Sequence, residues 1–417
     1  MVRVIPALLA SAALGAGVIG TSIKWNAATA AVVVEPGEQE RPGPDSARVA
    51  MLLEALGRAD PLLCELLGDQ IGNFWTSGER GGIGRFAASP PSLRAAKDSI
   101  GGRITDPRAI ARLVAELGAP NTCTRRVSSK MLGRSAISVA QLTALLGDPS
   151  VTVRESAAMA AGNGEHREMV PPLVKALDDR APAVAAMAAW ALGEVEDRTA
   201  VPALIKALHN GQPRVRLSAV WALGEIEDKR AVAEVIPALR DADPTMRVVA
   251  ADALGQLESA EAIGPLEATL AGDADWTVRA AAAHALGEIE ARTSAAALGK
   301  ALGDQDVRVR RAAAEAIGDL DDLDVAPSGL TTALASSDVE LRRHAAKALC
   351  SIGDPATTSA LIGLLASTDD ELRECAVEGL GKIGTPEAVR GLSRALNDRN
   401  PQVRRAAVEA LGNNKER

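Results

Sequence analysis

From Gly162 to Gly412 the chain repeats itself on a ruler of 31 residues. A glycine recurs at Gly162, Gly193, Gly224, Gly255, Gly287, Gly318, Gly381 and Gly412, with Cys350 standing in once, at spacings of 31 or 32. Eight residues before this index position stands an arginine in every unit but one, where Ala185 replaces it. The same marks run backwards through Gly133, Gly101 and Gly72, where they degenerate, so about twelve units can be counted. A period in this range requires a stack of small supersecondary units rather than a single globular core.

Each unit reads as two short helices. In "TAVPALIKALHN" (Thr199–Asn210), Val201, Leu204, Ile205 and Leu208 recur at helical spacing, and Val215, Ala219, Ala222, Leu223 and Ile226 do so in the following segment. Four residues before every one of these arginines except Arg216, and before Arg125, lies a residue suited to cap a helix: Asn121, Ser150, Asp243, Asp275, Asp306, Asp338, Asp369 or Asn400. Two helices of about 12 residues, with short turns, fill the period.

The pattern D-x(5)-R-x(7)-G, seen at Asp241/Arg247/Gly255, Asp273/Arg279/Gly287 and Asp304/Arg310/Gly318, resembles the HEAT repeat. It is most similar to the short HEAT-like repeats of the phycobilisome-lyase type. The resemblance is strong over residues 136–417 and weak over 49–135. It implies an all-α superhelix (an αα solenoid) with the second helices lining its concave side. It further implies that Asp241, Arg247, Asp273, Arg279, Asp304, Arg310, Asp398 and Arg404 belong to a structural ladder of ion pairs between neighbouring units.

On the second helix, counting from the index glycine, positions −10, −7, −3 and +1 form the stripe opposite the buried face. At −3 the units carry Asp252, His284, Glu315, Lys347, Glu378 and Glu409, as a solvated face should, but the three preceding units carry Met159, Trp190 and Trp221. With Leu217 and Val248 these form an apolar strip, rimmed by Glu194, Glu225 and Glu288 and flanked by His284. Two readings stand: aromatic anchors for a partner protein, or rings that fold down over alanine-rich neighbours. On the first reading, exchange of both Trp for Glu leaves the fold nearly intact, because Glu occupies the same position in later units.

No catalytic constellation is visible. Among proteins with such repeats, deoxyhypusine hydroxylase holds iron through His-Glu dipeptides, and none of the four histidines here is followed by Glu. No metal site or cofactor is expected, and "GERGGIG" (Gly78–Gly84) lacks the lysine of a phosphate-binding loop. A formal charge of −8 disfavours nucleic acid, whose non-specific binding rests on Lys and Arg. The four cysteines are few, contain no CxxC, and read as free buried thiols.

The N-terminus differs in kind. Arg3 precedes the uncharged run Val4–Ile23, and Ala28-Thr29-Ala30 fits a small-x-small cleavage site. Residues 1–30 therefore read as a signal peptide or, uncleaved, a membrane anchor, and 31–48 as a flexible linker. The expectation is an exported, non-catalytic scaffold with a protein partner in the groove and no contact with membrane beyond such an anchor. The alternative is a lyase-like or accessory enzyme module that cradles an apolar ligand or chromophore.

Overall fold

The computed structural model describes residues 46–57, 103–320 and 323–413. The leader, most of the linker, the units indexed by Gly72 and Gly101, and the Gly-rich stretch 73–92 lie outside the described residues. The first helix, Ser46–Gly57, begins within the last three residues assigned to the linker.

From Pro107 onward the chain alternates first and second helices through ten units among the described residues, indexed by Gly133 to Gly412. No strand occurs among these residues, only an isolated parallel bridge between Ile104 and Ser135. The second helices are regular, from Thr122–Gly133 to Pro401–Asn413. Their starts follow from the caps: Asn121, Asp243, Asp275, Asp306, Asp338, Asp369 and Asn400 each accept a backbone N–H from the first turn. Pro182, Pro213, Pro244 and Pro401 occupy first helical positions, where no hydrogen bond is lost.

The first helices are shorter than the expected 12 residues, because three-residue 3₁₀ turns take up part of the length. Arg198–Ala200 precedes Val201–Leu208, and Lys229–Ala231 precedes Val232–Val235, after which Pro237 keeps Ile236–Arg240 in 3₁₀ form. Proline there removes an N–H that a continuing α-helix would need.

Neighbouring second helices approach closely because the index residue has no side chain. A Cβ built on Gly193 would lie 2.9 Å from Ala222 Cα, and one on Gly287 would lie 3.0 Å from Ala316 Cα. Where Cys350 replaces the glycine, Gly379 replaces the alanine opposite, and a Cβ on it would lie 3.0 Å from Cys350 Cα. The small residue has changed sides of the same contact. Leu192, Leu223, Leu254 and Leu286, just before the index, are fully buried, each contributing about 1.5–3 kcal/mol.

Cross-unit ion pairs join the helix starts. Arg154 reaches Asp179, Arg216 reaches Asp241, Arg247 reaches Asp273, Arg279 reaches Asp304 and Arg373 reaches Asp398, at 2.7–2.8 Å. Each arginine thus grips the Asp of the next unit, and most also donate to a carbonyl of their own unit, as Arg279 does to Asp273 O. The units after Arg310 and Arg342 carry Ser336 and Ser367 where the other rungs have Asp, and these two arginines donate to carbonyls of their own units. There a shifted rung takes over: Arg311 pairs with Asp338, and Arg343 with Asp369 at 3.3 Å. Arg404 likewise donates to Asp398 O.

The cysteines are not free thiols. Cys350 and Cys375 form a disulfide across adjacent second helices, with Cα atoms 5.7 Å apart, and Cys123 is also disulfide-bonded. The expectation failed because cysteines 25 residues apart carry no local spacing signal along the chain. A 31-residue period, however, sets the index position of one helix beside position −6 of the next.

Candidate functional site

The stripe position −3 changes burial along the array. Met159 and Trp190 are 6% and 4% exposed, Trp221 and His284 are half-buried, and Asp252, Glu315, Lys347, Glu378 and Glu409 are exposed. The aromatic rings cover index glycines: a Cβ on Gly162 would lie 3.0 Å from Trp190 Cζ3, and one on Gly193 only 2.7 Å from Trp221 Cζ3. The two indoles stack on each other, centroids 6.4 Å apart and planes 17° off parallel. Trp221 therefore screens one face of Trp190, and the pair serves as packing for the stack while still reaching the stripe.

Beside this pair opens a cavity of about 270 Å³. Its floor is Met159, Ala186, Met187, Trp190 and Leu217, contributed by three consecutive second helices. Charged residues stand at its lip: Arg125 and Arg126 from the helix Thr122–Gly133, Arg214 from Pro213–Glu225, and Glu155 between them. Arg125 donates to Ala119 O and Pro120 O at 2.6 and 3.0 Å and to Thr122 Oγ1 at 3.1 Å.

Of the residues singled out in the sequence, Met159, Trp190 and Leu217 meet at this cavity. Trp221 and Val248 are half-buried and do not line it. Met187, Glu155 and the three arginines were missed, although Arg126 and Arg214 occupy positions −7 and −10 of the stripe. Following the stripe one unit further back would have found Arg126.

The other end of the stripe is acidic. Glu194 is half-buried, and its carboxyl is pushed up to about 7 by burial, then by the charges of Glu225, Glu165 and Glu196, against a pull from Lys130. Glu225 accepts from Gln256 Nε2 at 2.8 Å. His284 lies 3.5 Å from Glu288, whose hydrogen bond raises the imidazole pKa against the effect of burial. No group of three His, Cys, Asp or Glu among the described residues is placed to hold a metal ion.

Stacked two-helix units, glycine-mediated helix contacts and a cross-unit ion-pair ladder define an α-solenoid of short helical repeats. The sequence profile described as HEAT repeats matches residues 139–219, 201–287, 265–330 and 327–412. The chain belongs to the HEAT-repeat family. None of the curated proteins matches it. Among solved structures it is similar to an engineered protein at 21% identity and a TM-score of 0.48, covering 84% of this chain and 98% of that one. YibA of Escherichia coli is similar at 20% identity and a TM-score of 0.41, over 66% of this chain and 93% of its own. A chain of the CpcE–CpcF complex of phycocyanin lyase from Nostoc sp. PCC7120 is similar at 23% identity and a TM-score of 0.31, over 66% and 94%.

Proposed function

We propose that this protein is an exported, non-catalytic scaffold that holds a partner protein on the stripe of its second helices. The observation that carries this reading is the open cavity with an apolar floor of Met159, Met187, Trp190 and Leu217 and a charged lip. Apolar centres ringed by charge are how binding hot spots are built. At about 270 Å³ the cavity is smaller than the roughly 300–1,000 Å³ of pockets for whole small molecules. It suits one or two inserted side chains.

Export is supported by two independent features: the leader-like residues 1–30 and the Cys350–Cys375 disulfide. Structural disulfides persist outside the reducing cytosol. Two experiments test the halves separately. N-terminal sequencing of the protein recovered from cells should find Ala31 first, or an intact leader in the membrane fraction; an intact Met1 in the cytosol rejects export. A photocrosslinking residue at position 187 should trap one protein in living cells, whereas the same residue at exposed position 408 should not. Equal labelling from both positions rejects the site.

A further inference from the structure

Resting on that reading, we infer that the side chain the partner inserts is a tyrosine, its ring against Arg214 and the methionine floor and its hydroxyl on Ser218. Arg214 and Ser218 both line the cavity and lie four residues apart on the helix Pro213–Glu225. That spacing puts them on one helix face with Cβ atoms about 5–6 Å apart, and Leu217 stands beside them. Each lacks a partner of its own. Ser218 is 7% exposed, and its hydroxyl makes no hydrogen bond with any described residue. Ser156, in the same register two units earlier, also lines the cavity but donates to Leu117 O at 3.0 Å. A purely hydrocarbon guest would strip the Ser218 hydroxyl of water and return nothing. The guest that fits carries a polar atom on an apolar body.

Arg214 supplies the second observation. It makes no hydrogen bond, ion pair or ring contact with any described residue. Its counterpart in register, Arg308, is held twice: by Asp306 at 2.8 and 3.0 Å, and over the ring of Trp276 in the preceding unit, 3.2 Å from the centroid. At Arg214 the matching residues are Gln212 and Pro182, which offer neither carboxylate nor ring. The array thus shows what a guanidinium in this register lies against, and at the cavity it supplies no such ring. An aromatic side chain from the partner takes that place by cation–π contact. The thioethers of Met159 and Met187 on the floor favour an aromatic guest as well. Tyrosine joins a ring to a hydroxyl that both donates and accepts, as the hydroxyl of Ser218 does. None of the 417 residues is a tyrosine, so neither a segment among them nor a second copy of them supplies this side chain.

The test is a random peptide-display selection against the full chain, followed by titration of the enriched sequence as a synthetic peptide and of its analogue with Phe in place of Tyr. The expected result is enrichment of tyrosine. The parent chain should bind the Phe analogue about fivefold more weakly, whereas Ser218→Ala should bind the two peptides equally. Arg214→Ala should weaken both peptides about threefold, and Leu217→Asp should abolish binding. Met187→Glu serves as a second floor variant, and each variant is accepted only with an unchanged melting temperature. If another anchor is enriched, or the Phe analogue loses as much against Ser218→Ala as against the parent, while Leu217→Asp still abolishes binding, the tyrosine is wrong and the site stands. If binding ignores Leu217→Asp and Met187→Glu, or no peptide is enriched, both the inference and the site fail.

Discussion

Arg279 and Asp304 lie in successive units yet form one bidentate pair, Nε to Oδ2 at 2.8 Å and Nη2 to Oδ1 at 2.9 Å. The same guanidinium donates to Asp273 O through Nη1, so one side chain fixes the turn before its own helix to the turn before the next. Both partners are largely buried, at 7% and 13% side-chain exposure.

Arg279→Ala is therefore expected to destabilise the protein by about 3–5 kcal/mol, since it strands a buried carboxylate. Lys206→Ala, which breaks an ion pair 73% exposed on both sides, should change stability by less than about 1 kcal/mol. Urea denaturation of both variants checks this; equal effects would remove the ladder from the account.

Glu194 ties stability to pH. Its folded pKa, about 7, lies above the ordinary 4.5, chiefly through burial and then through Glu225. Between these values the folded chain binds more protons than the unfolded one, so this group makes stability fall as pH rises, and the loss is complete above about 7. Glu194→Gln should be progressively more stable than the parent from pH 4.5 to 7, with a constant advantage beyond. Melting temperatures measured across that range would show it; a difference independent of pH would contradict it.

The Cys350–Cys375 bond closes a loop across two second helices. On loop-closure entropy a link of this span stabilises by roughly 3–4 kcal/mol. Cys350→Ser should lower the denaturation midpoint accordingly, and when Cys123, which is bonded in a second disulfide, is also changed to Ser, the midpoint should be insensitive to added reductant. A parent protein equally insensitive to reductant would show the bond to be absent in solution.

The architecture was legible because the index glycine, the arginine eight residues before it and the caps are all local in sequence. What each faces is set by the neighbouring unit, and there legibility ended. Trp190 and Trp221 stand in a row that is solvated in later units, but Gly162 and Gly193 open the space their rings fill. The row's polarity was visible and its depth was not. Exchange of both Trp for Glu is tolerated on the partner-anchor reading, but Trp190→Glu alone should cost at least about 2 kcal/mol, because it places a carboxylate at a site 4% exposed. Thermal unfolding within a degree of the parent would refute this. The disulfide had a readable sign in hindsight: Cys350 and Gly379 exchange the small residue across one contact, which marks the junction where the helices are joined.

The central claim is that the cavity beneath Arg125 and Arg214 is where a partner protein docks. The most direct measurement is the affinity of the partner crosslinked at position 187 for the parent chain, for Leu217→Asp, and for Glu409→Ala at an exposed position of the last described unit. The account predicts a loss of about 2–4 kcal/mol for Leu217→Asp, the scale of a binding hot spot, with Glu409→Ala unchanged and all three melting alike. Equal affinity of Leu217→Asp and the parent would contradict it.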